Sequence, residues 1–405
     1  MDAINTLFIM LCSLLVLLMT PSLAMFYSGL VQAKNALNTI MNCFIVFGLV
    51  SFTWIFVGFS LAYEGDYLGI IGNLSAAFLN GVNGVNANGV PQLLNVIYQM
   101  MFALIASAVI TGSLVGRVKL SVLAIFLIFW SILVYAILAH MIWDEQGFLL
   151  TRGGLDFAGG GVVHISAGTA GLIGVLMVGA RKEIAHISEQ AHSIPYAFLG
   201  GILLFIGWLG FNSGSAGKVD EIAVNAFIVT IISASSGYIA WICMEILNKQ
   251  KPSILGSLSG LVAGLVGITP GCGYVGIAAS IIIGASTAIV CFWGLIVIKY
   301  KLKLDDSLDA FSLHGFGGIW GALCVGLFAT KEINPSIEFE GLFISFNSHL
   351  LLEQIMGVVV CFGVSAIISF VIFKVISYFT SLRVDSEHES LGLDASLHGE
   401  SAYKR

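Results

Sequence analysis

The chain has 405 residues, 58% of them hydrophobic and only 10% charged, with a mean hydropathy of +0.98, whereas soluble domains carry roughly 25% charged residues. That balance excludes a string of soluble domains and leaves one integral membrane unit. A formal charge of -6 with no block of like charge gives no footing for nucleic acid, and seven cysteines, set mostly in apolar runs as Cys43 and Cys324 are, offer neither a disulfide framework nor a zinc site.

A bilayer core about 30 Å thick needs about 20 apolar residues per helix. Taken in chain order, eleven such runs appear, at 6–31, 39–62, 93–115, 120–142, 157–180, 194–212, 222–247, 253–269, 273–298, 311–330 and 349–378. The first lacks preceding basic residues and outruns a secretory leader, so it reads as a helix. Residues 381–405 are polar and too poor in apolar side chains to fold alone; they read as a tail that docks on the membrane unit.

Charge bias tests that division, because cytoplasmic loops collect Lys and Arg. With eleven spans the ends lie on opposite sides. One set of connections then holds Lys34, Arg117, Lys119, Arg181, Lys182, Lys249, Lys251, Lys299, Lys301, Lys303, Lys374, Arg383, Lys404 and Arg405; only Arg152, Lys218 and Lys331 remain of the 17 basic residues. The skew predicts an outside N-terminus and a cytoplasmic C-terminus.

Glycine supplies 47 residues, about 12% against a usual 7%, as tight packing of membrane helices requires. Two runs share a glycine pattern behind a histidine: "HISAGTAG" from His164 and "HGFGGIWG" from His314 both read His-x3-Gly-x2-Gly. By the topology above they run in opposite directions, which suggests an inverted repeat of five helices plus five, over about 6–180 and 194–330, with the eleventh added. Transporters built this way place their sites near the midplane between the halves. Asp156 and Asp309 stand near the starts of these two runs and read as caps for exposed backbone amides. The histidines are expensive inside a membrane and read as pore groups. Eight residues of helix rise about 12 Å and five about 7.5 Å, together short of the 30 Å core, so the histidines meet only if both helices begin in recessed vestibules.

"LDFAGGGVVHISAG", "GWLGFNSGSAG" from Gly207, "DAFSLHGFGGIWG" from Asp309, and "GLD" with "HGESAY" in the tail together resemble the Amt/Mep/Rh ammonium transporter family along nearly the whole chain. The resemblance implies an all-α protomer of eleven transmembrane helices in a homotrimer, with a membrane domain over 1–380 and a cytoplasmic regulatory tail over 381–405 that faces PII-type signal proteins. It implies no cofactor and no catalysis, and a multi-pass protein of the cell (inner) membrane. Position by position, the family's outer recruitment site falls on Phe102, Trp143 and Ser215 with Asp156 beneath it, its stacked gate on Phe102 and Phe211, and its paired pore histidines on His164 and His314. Asp144 and Glu145 stand where members of that family commonly have glycines.

The implied function is recruitment of ammonium, its deprotonation near the gate, and passage of ammonia along the histidines. A bare cation in a narrow apolar pore costs several kcal/mol, and potassium has no proton to lose. The competing reading is a receptor that binds ammonium on the same scaffold and signals without net transport. An enzyme is disfavoured, because neither His-Glu-x-x-His nor Gly-x-Ser-Gly occurs.

Overall fold

The computed structural model describes residues 1–182 and 191–403; Lys404 and Arg405, expected on the cytoplasmic side, lie outside the described residues. Among the described residues there are only helices, turns and three isolated bridges. Among the described residues ten helices are long and apolar enough to cross a membrane. They are α1 (Ala3–Leu30), α2 (Ala33–Tyr63), α3 (Gln92–Leu114), α4 (Leu120–Trp143), α5 (Gly160–Val178), α6 (Ile194–Gly214), α7 (Glu221–Leu247), α9 (Ile277–Lys301), α10 (Phe311–Phe328) and α11 (His349–Phe379). The shorter apolar helix α8, Ile254–Ile268, coincides with the eighth run. All seven cysteines are free.

Helices α1 and α6 pack along each other through the middle of the bundle, α7, α8 and α9 form a second packed group, and α11 lies across α5 and α10. The first turns of α5 rest on the body of α10, and those of α10 on the body of α5. Glycine makes that crossing possible. A Cβ on Gly168 would sit 2.5 Å from the backbone nitrogen of Gly315, and one on Gly318 would sit 2.9 Å from the carbonyl of Gly160 and 3.1 Å from Cβ of His164. The glycines of the repeated motif are therefore what lets the two histidine-bearing helices touch.

Both helices begin inside the protein after non-helical chain, and each opens on a π-helical turn that contains its histidine, Gly160–Ile165 and Phe311–Gly315. Amides at such a start need acceptors. In α5 the Asp156 carboxylate accepts from the backbone N–H groups of Gly159, Gly160, Gly161 and Val162 at 2.6–3.3 Å. In α10 the corresponding residue is Asp306, which accepts from Ala310, Phe311 and Ser312 N–H at 2.9–3.4 Å and from the Ser113 hydroxyl at 2.7 Å. The expectation that Asp309 caps α10 is thus corrected. Asp309 has a positive φ of 59° and turns its side chain to Lys299 Nζ at 2.7 Å. Burial pushes its carboxyl up to about 6 despite that ammonium.

At the same end of the bundle a buried charge knot joins the loops after α3, α5 and α9. Arg117 is fully buried and donates to the carbonyls of Gly179 at 2.7 Å and Asp305 at 2.7 Å and to the Ser307 hydroxyl at 2.6 Å. Arg181 pairs with the Asp305 carboxylate at 2.7 Å. Burial pushes Asp305 up, but the two guanidinium groups win and hold its carboxyl down at about 2.

The tail packs onto this surface. Val384 N–H donates to the Arg117 carbonyl at 3.0 Å, and Arg383 grips Glu389 at 2.7 Å. Asp394 caps α2 from a distance in sequence, accepting from Leu37 N–H at 3.0 Å and Asn38 N–H at 2.8 Å. Asn35, which precedes those amides, spends its own side-chain oxygen on Leu393 N–H at 2.9 Å.

Candidate functional site

The site is a column of rings running from one mouth of the bundle to its centre. At the mouth, a cavity of about 220 Å³ is lined by residues that include Tyr63, Tyr98, Phe102, Trp143, Phe157 and Ser215. It brings together three of the four residues expected at a recruitment site. The fourth, Asp156, does not line it; it stands behind Trp143, whose indole N–H donates to the Asp156 carbonyl at 2.8 Å. One residue thus orients the indole with its backbone and caps α5 with its side chain.

Phe102 forms the floor of this cavity. Its ring meets Trp143 edge-on at 6.0 Å between centroids and stacks on Phe211 at 4.1 Å and 21°. Both phenyl rings are buried. Tyr98, one turn earlier on α3, donates from its hydroxyl to the Phe211 carbonyl at 2.9 Å, and the Ser215 hydroxyl donates to that same carbonyl at 2.9 Å. The Ser215 bond is local to the end of α6, whereas the Tyr98 bond ties the segment carrying Phe211 to α3, the helix that carries Phe102.

Behind the stack lies a second, smaller cavity of about 20 Å³, lined by Met19, Leu23, Tyr27, Trp208, His164 and His314 among others. That is room for about one water-sized molecule. The His164 ring lies 6.2 Å from Phe211 and stacks on Trp208 at 5.3 Å. His164 and His314 then face each other with their Nδ1 atoms 3.2 Å apart. For that contact to be a hydrogen bond one Nδ1 donates and the other accepts, so the pair holds a single shared proton at this edge. His164 Nε2 is buried and has no partner among the described residues.

Chemically, the mouth offers indole and phenyl faces, a phenol and a hydroxyl to a small cation. The interior offers two imidazoles in an apolar cavity with too little room for a hydrated ion. Trp208 and Tyr27 were not anticipated as lining residues. For Trp208 the signal was present, since it stands three residues before Phe211 on the same helix face; Tyr27 carried none.

A family model described as the ammonium transporter family matches residues 7–403. An ammonium transporter of Bacillus subtilis is 44% identical over 403 residues, covering 99% of this chain and 98% of the relative. The crystal structure of Candida albicans Mep2 is similar with a TM-score of 0.88 at 30% identity, covering 96% of this chain and 87% of that one. A structure described as a sensor Amt protein is similar with a TM-score of 0.90 at 28% identity, covering 98% of each chain.

Proposed function

The chain belongs to the ammonium transporter family, a family of multi-pass membrane transporters rather than enzymes, and from that premise we propose that it recruits ammonium at the Trp143 mouth, strips a proton near the Phe102–Phe211 stack and conducts ammonia past His164 and His314. The observation that carries this reading is the change in character across the stack. A roomy aromatic cavity of about 220 Å³ lies on one side and an apolar cavity of about 20 Å³ with two imidazoles lies on the other. A cation gains on the first side from ring faces and loses heavily on the second, where the lining carries no counter-charge. Shedding a proton removes that loss for ammonium and does nothing for potassium. The paired imidazoles hand a hydrogen bond to the neutral molecule and can carry the released proton.

In this reading the Trp143 mouth and the N-terminus face outward from the cell membrane, the tail faces the cytoplasm, residues 1–380 form the membrane domain, and protomers assemble as homotrimers. The central test is purified protein in liposomes, with ammonium-driven and potassium-driven currents recorded alongside ammonia flux. Ammonium current or ammonia flux without potassium current supports the reading. Binding without any flux transfers the argument to the second reading, an ammonium receptor, which the likeness to a sensor Amt protein favours.

Two expected results follow. Trp143→Leu removes the indole face and is expected to weaken methylammonium binding by about 1 to 2 kcal/mol, roughly 5- to 30-fold, with a smaller loss of maximal flux; an equilibrium binding titration measures it. Unchanged affinity moves the recruitment site elsewhere, toward Asp144 and Glu145, whose pull would fade with added salt.

Deleting residues 384–405 takes away the Asp394 cap on α2, worth about 1 kcal/mol, and the tail surface offered to a PII-type protein. Flux or its regulation is expected to change while the trimer persists, read by transport assay, PII binding and size-exclusion with light scattering. Unaltered flux together with unaltered PII binding overturns the regulatory reading of the tail.

A further inference from the structure

His140 lies in the last turn of α4, three residues before Trp143, and is wholly buried. Its ring has an acceptor at each nitrogen. Nδ1 stands 3.1 Å from the carbonyl of Ala62, at the end of α2, and Nε2 stands 3.0 Å from Oδ1 of Asp66 in the loop beyond. A carbonyl only accepts, so Nδ1 must carry a proton. Hydrogen bonding from His140 holds the Asp66 carboxyl below the usual carboxylate range, so it too only accepts, and Nε2 must also carry a proton. The geometry is satisfied by an imidazolium and by neither neutral tautomer.

This contact sits at the root of a stitched surface. Asp66 Oδ1 also accepts from Gly69 N–H at 2.6 Å. The Gly69 carbonyl accepts from Phe148 N–H at 2.8 Å, and Leu149 N–H donates to the Met141 carbonyl at 2.8 Å. The loop after α2 is thereby fastened to the segment that follows Trp143. Tyr63, next to Ala62, and Trp143, one turn from His140, line the same mouth cavity.

We propose that the His140–Asp66 pair is a proton-dependent brace that positions Trp143 and Tyr63 for cation binding, so that loss of one proton from the pair loosens the mouth. The proposal rests on the Trp143 reading of the recruitment site. With Nε2 deprotonated, its lone pair faces the Asp66 oxygen and the contact turns from a charged hydrogen bond into a repulsion. The brace is then intact at lower pH and released as pH rises. The end of α4 packs on the end of α2, on residues 131–135, on the turn 150–152 and on the start of α5. The ionisable side chains on these elements are Tyr63, Tyr135, Arg152 and His164, with Glu64, Asp144 and Glu145 at their edges; within hydrogen-bonding distance of the His140 ring, Asp66 is the one such group among the described residues.

Two substitutions separate the charge from the fold. His140 Nε2 and Gly69 N–H share the one Asp66 oxygen, so Asp66→Asn keeps an acceptor oxygen there for both while removing the negative charge that favours the second proton on the ring. His140→Leu removes the brace at every pH. The readouts are methylammonium affinity and amide hydrogen exchange of residues 64–73 and 141–149, on the purified full chain from about pH 6 to about pH 9, a range in which methylammonium stays a cation. For wild type, affinity is expected to weaken about tenfold, the effect of losing one charged hydrogen bond, and exchange to accelerate in step as pH rises. Asp66→Asn is expected to move both profiles to lower pH, and His140→Leu to show weak binding and fast exchange throughout. A pH profile in Asp66→Asn that matches wild type overturns the proposal even where His140→Leu fails to fold. So does wild-type affinity in His140→Leu, provided Trp143→Leu does weaken binding; if Trp143→Leu leaves affinity unchanged as well, the recruitment reading itself has failed.

Discussion

Asp156→Ala is expected to destabilise the protein by about 3 kcal/mol or more, the largest effect of any single change at the site, because it strands several buried donors at once. Four backbone N–H groups converge on that carboxylate, and each buried donor left unpaired costs about 1 kcal/mol or more. The helix start also loses the negative charge that its dipole favours. The damage reaches the mouth, since the carbonyl of the same residue holds the Trp143 indole. Thermal unfolding in detergent measures the first effect and methylammonium binding the second. Asp156→Asn keeps one acceptor oxygen and is expected to fall between. Asp306→Ala is expected to resemble Asp156→Ala, since Asp306 serves α10 in the same way, whereas Asp309→Ala, with no amide to cap, is expected to be far milder. Equal stability losses at 306 and 309 would overturn the assignment of the caps.

The second large effect belongs to the histidines, and it falls on conduction instead of folding. Alanine at 164 or 314 removes the mutual Nδ1 contact and enlarges a cavity that now holds about one small molecule. The remaining imidazole and the Tyr27 hydroxyl in the lining offer partners to water in the enlarged cavity, where a wholly apolar core would have been left void, so the fold is expected to lose little. The barrier for ammonia changes by at least the hydrogen bond an imidazole supplied, about 1 to 1.5 kcal/mol or roughly tenfold in rate, and potassium exclusion weakens once water fills the channel. Because the two rings form one unit, the double variant is expected to behave like either single one. Liposome currents for ammonium and potassium decide it; alanine variants that conduct with wild-type selectivity would make the histidines merely structural.

Much of this architecture was legible before any coordinate. Runs such as 93–115 and 349–378 fall within a residue of the observed Gln92–Leu114 and His349–Phe379, because a long apolar stretch has one stable answer in a bilayer. The glycine content anticipated tight packing of the helices, and at Gly168 and Gly318 that packing is the contact between the two histidine-bearing helices. Asp309 was misjudged because proximity to the histidine was weighed above equal spacing. Both caps stand eight residues before their histidine, at 156 and 306, and that interval was readable. Depth was harder. Hydropathy extends α5 back to residue 157, yet Phe157 lines the mouth cavity and helix begins only at Gly160; apolar character marks burial without marking backbone form. His140 and Asp66 gave no signal either, being 74 residues apart and joined only by the way α4 meets the end of α2.

The π-helical turns at Gly160–Ile165 and Phe311–Gly315 make chain length itself a determinant of the pore. A residue added to or removed from an α-helix rotates everything beyond it by about 100°, and a π turn stores such a phase slip within one turn. Here the slip lies between two fixed points, the aspartate that caps the helix start and the glycine face that meets the partner helix. Neither point can rotate to absorb a change, because one is locked to backbone amides and the other to a neighbouring backbone. Residues 157–163 and 307–313 are therefore segments fixed in number as well as in residues such as Gly159, Gly160 and Gly161, where a Cβ would meet a neighbour: a one-residue deletion there would keep every functional group in the chain and turn an imidazole away from its partner.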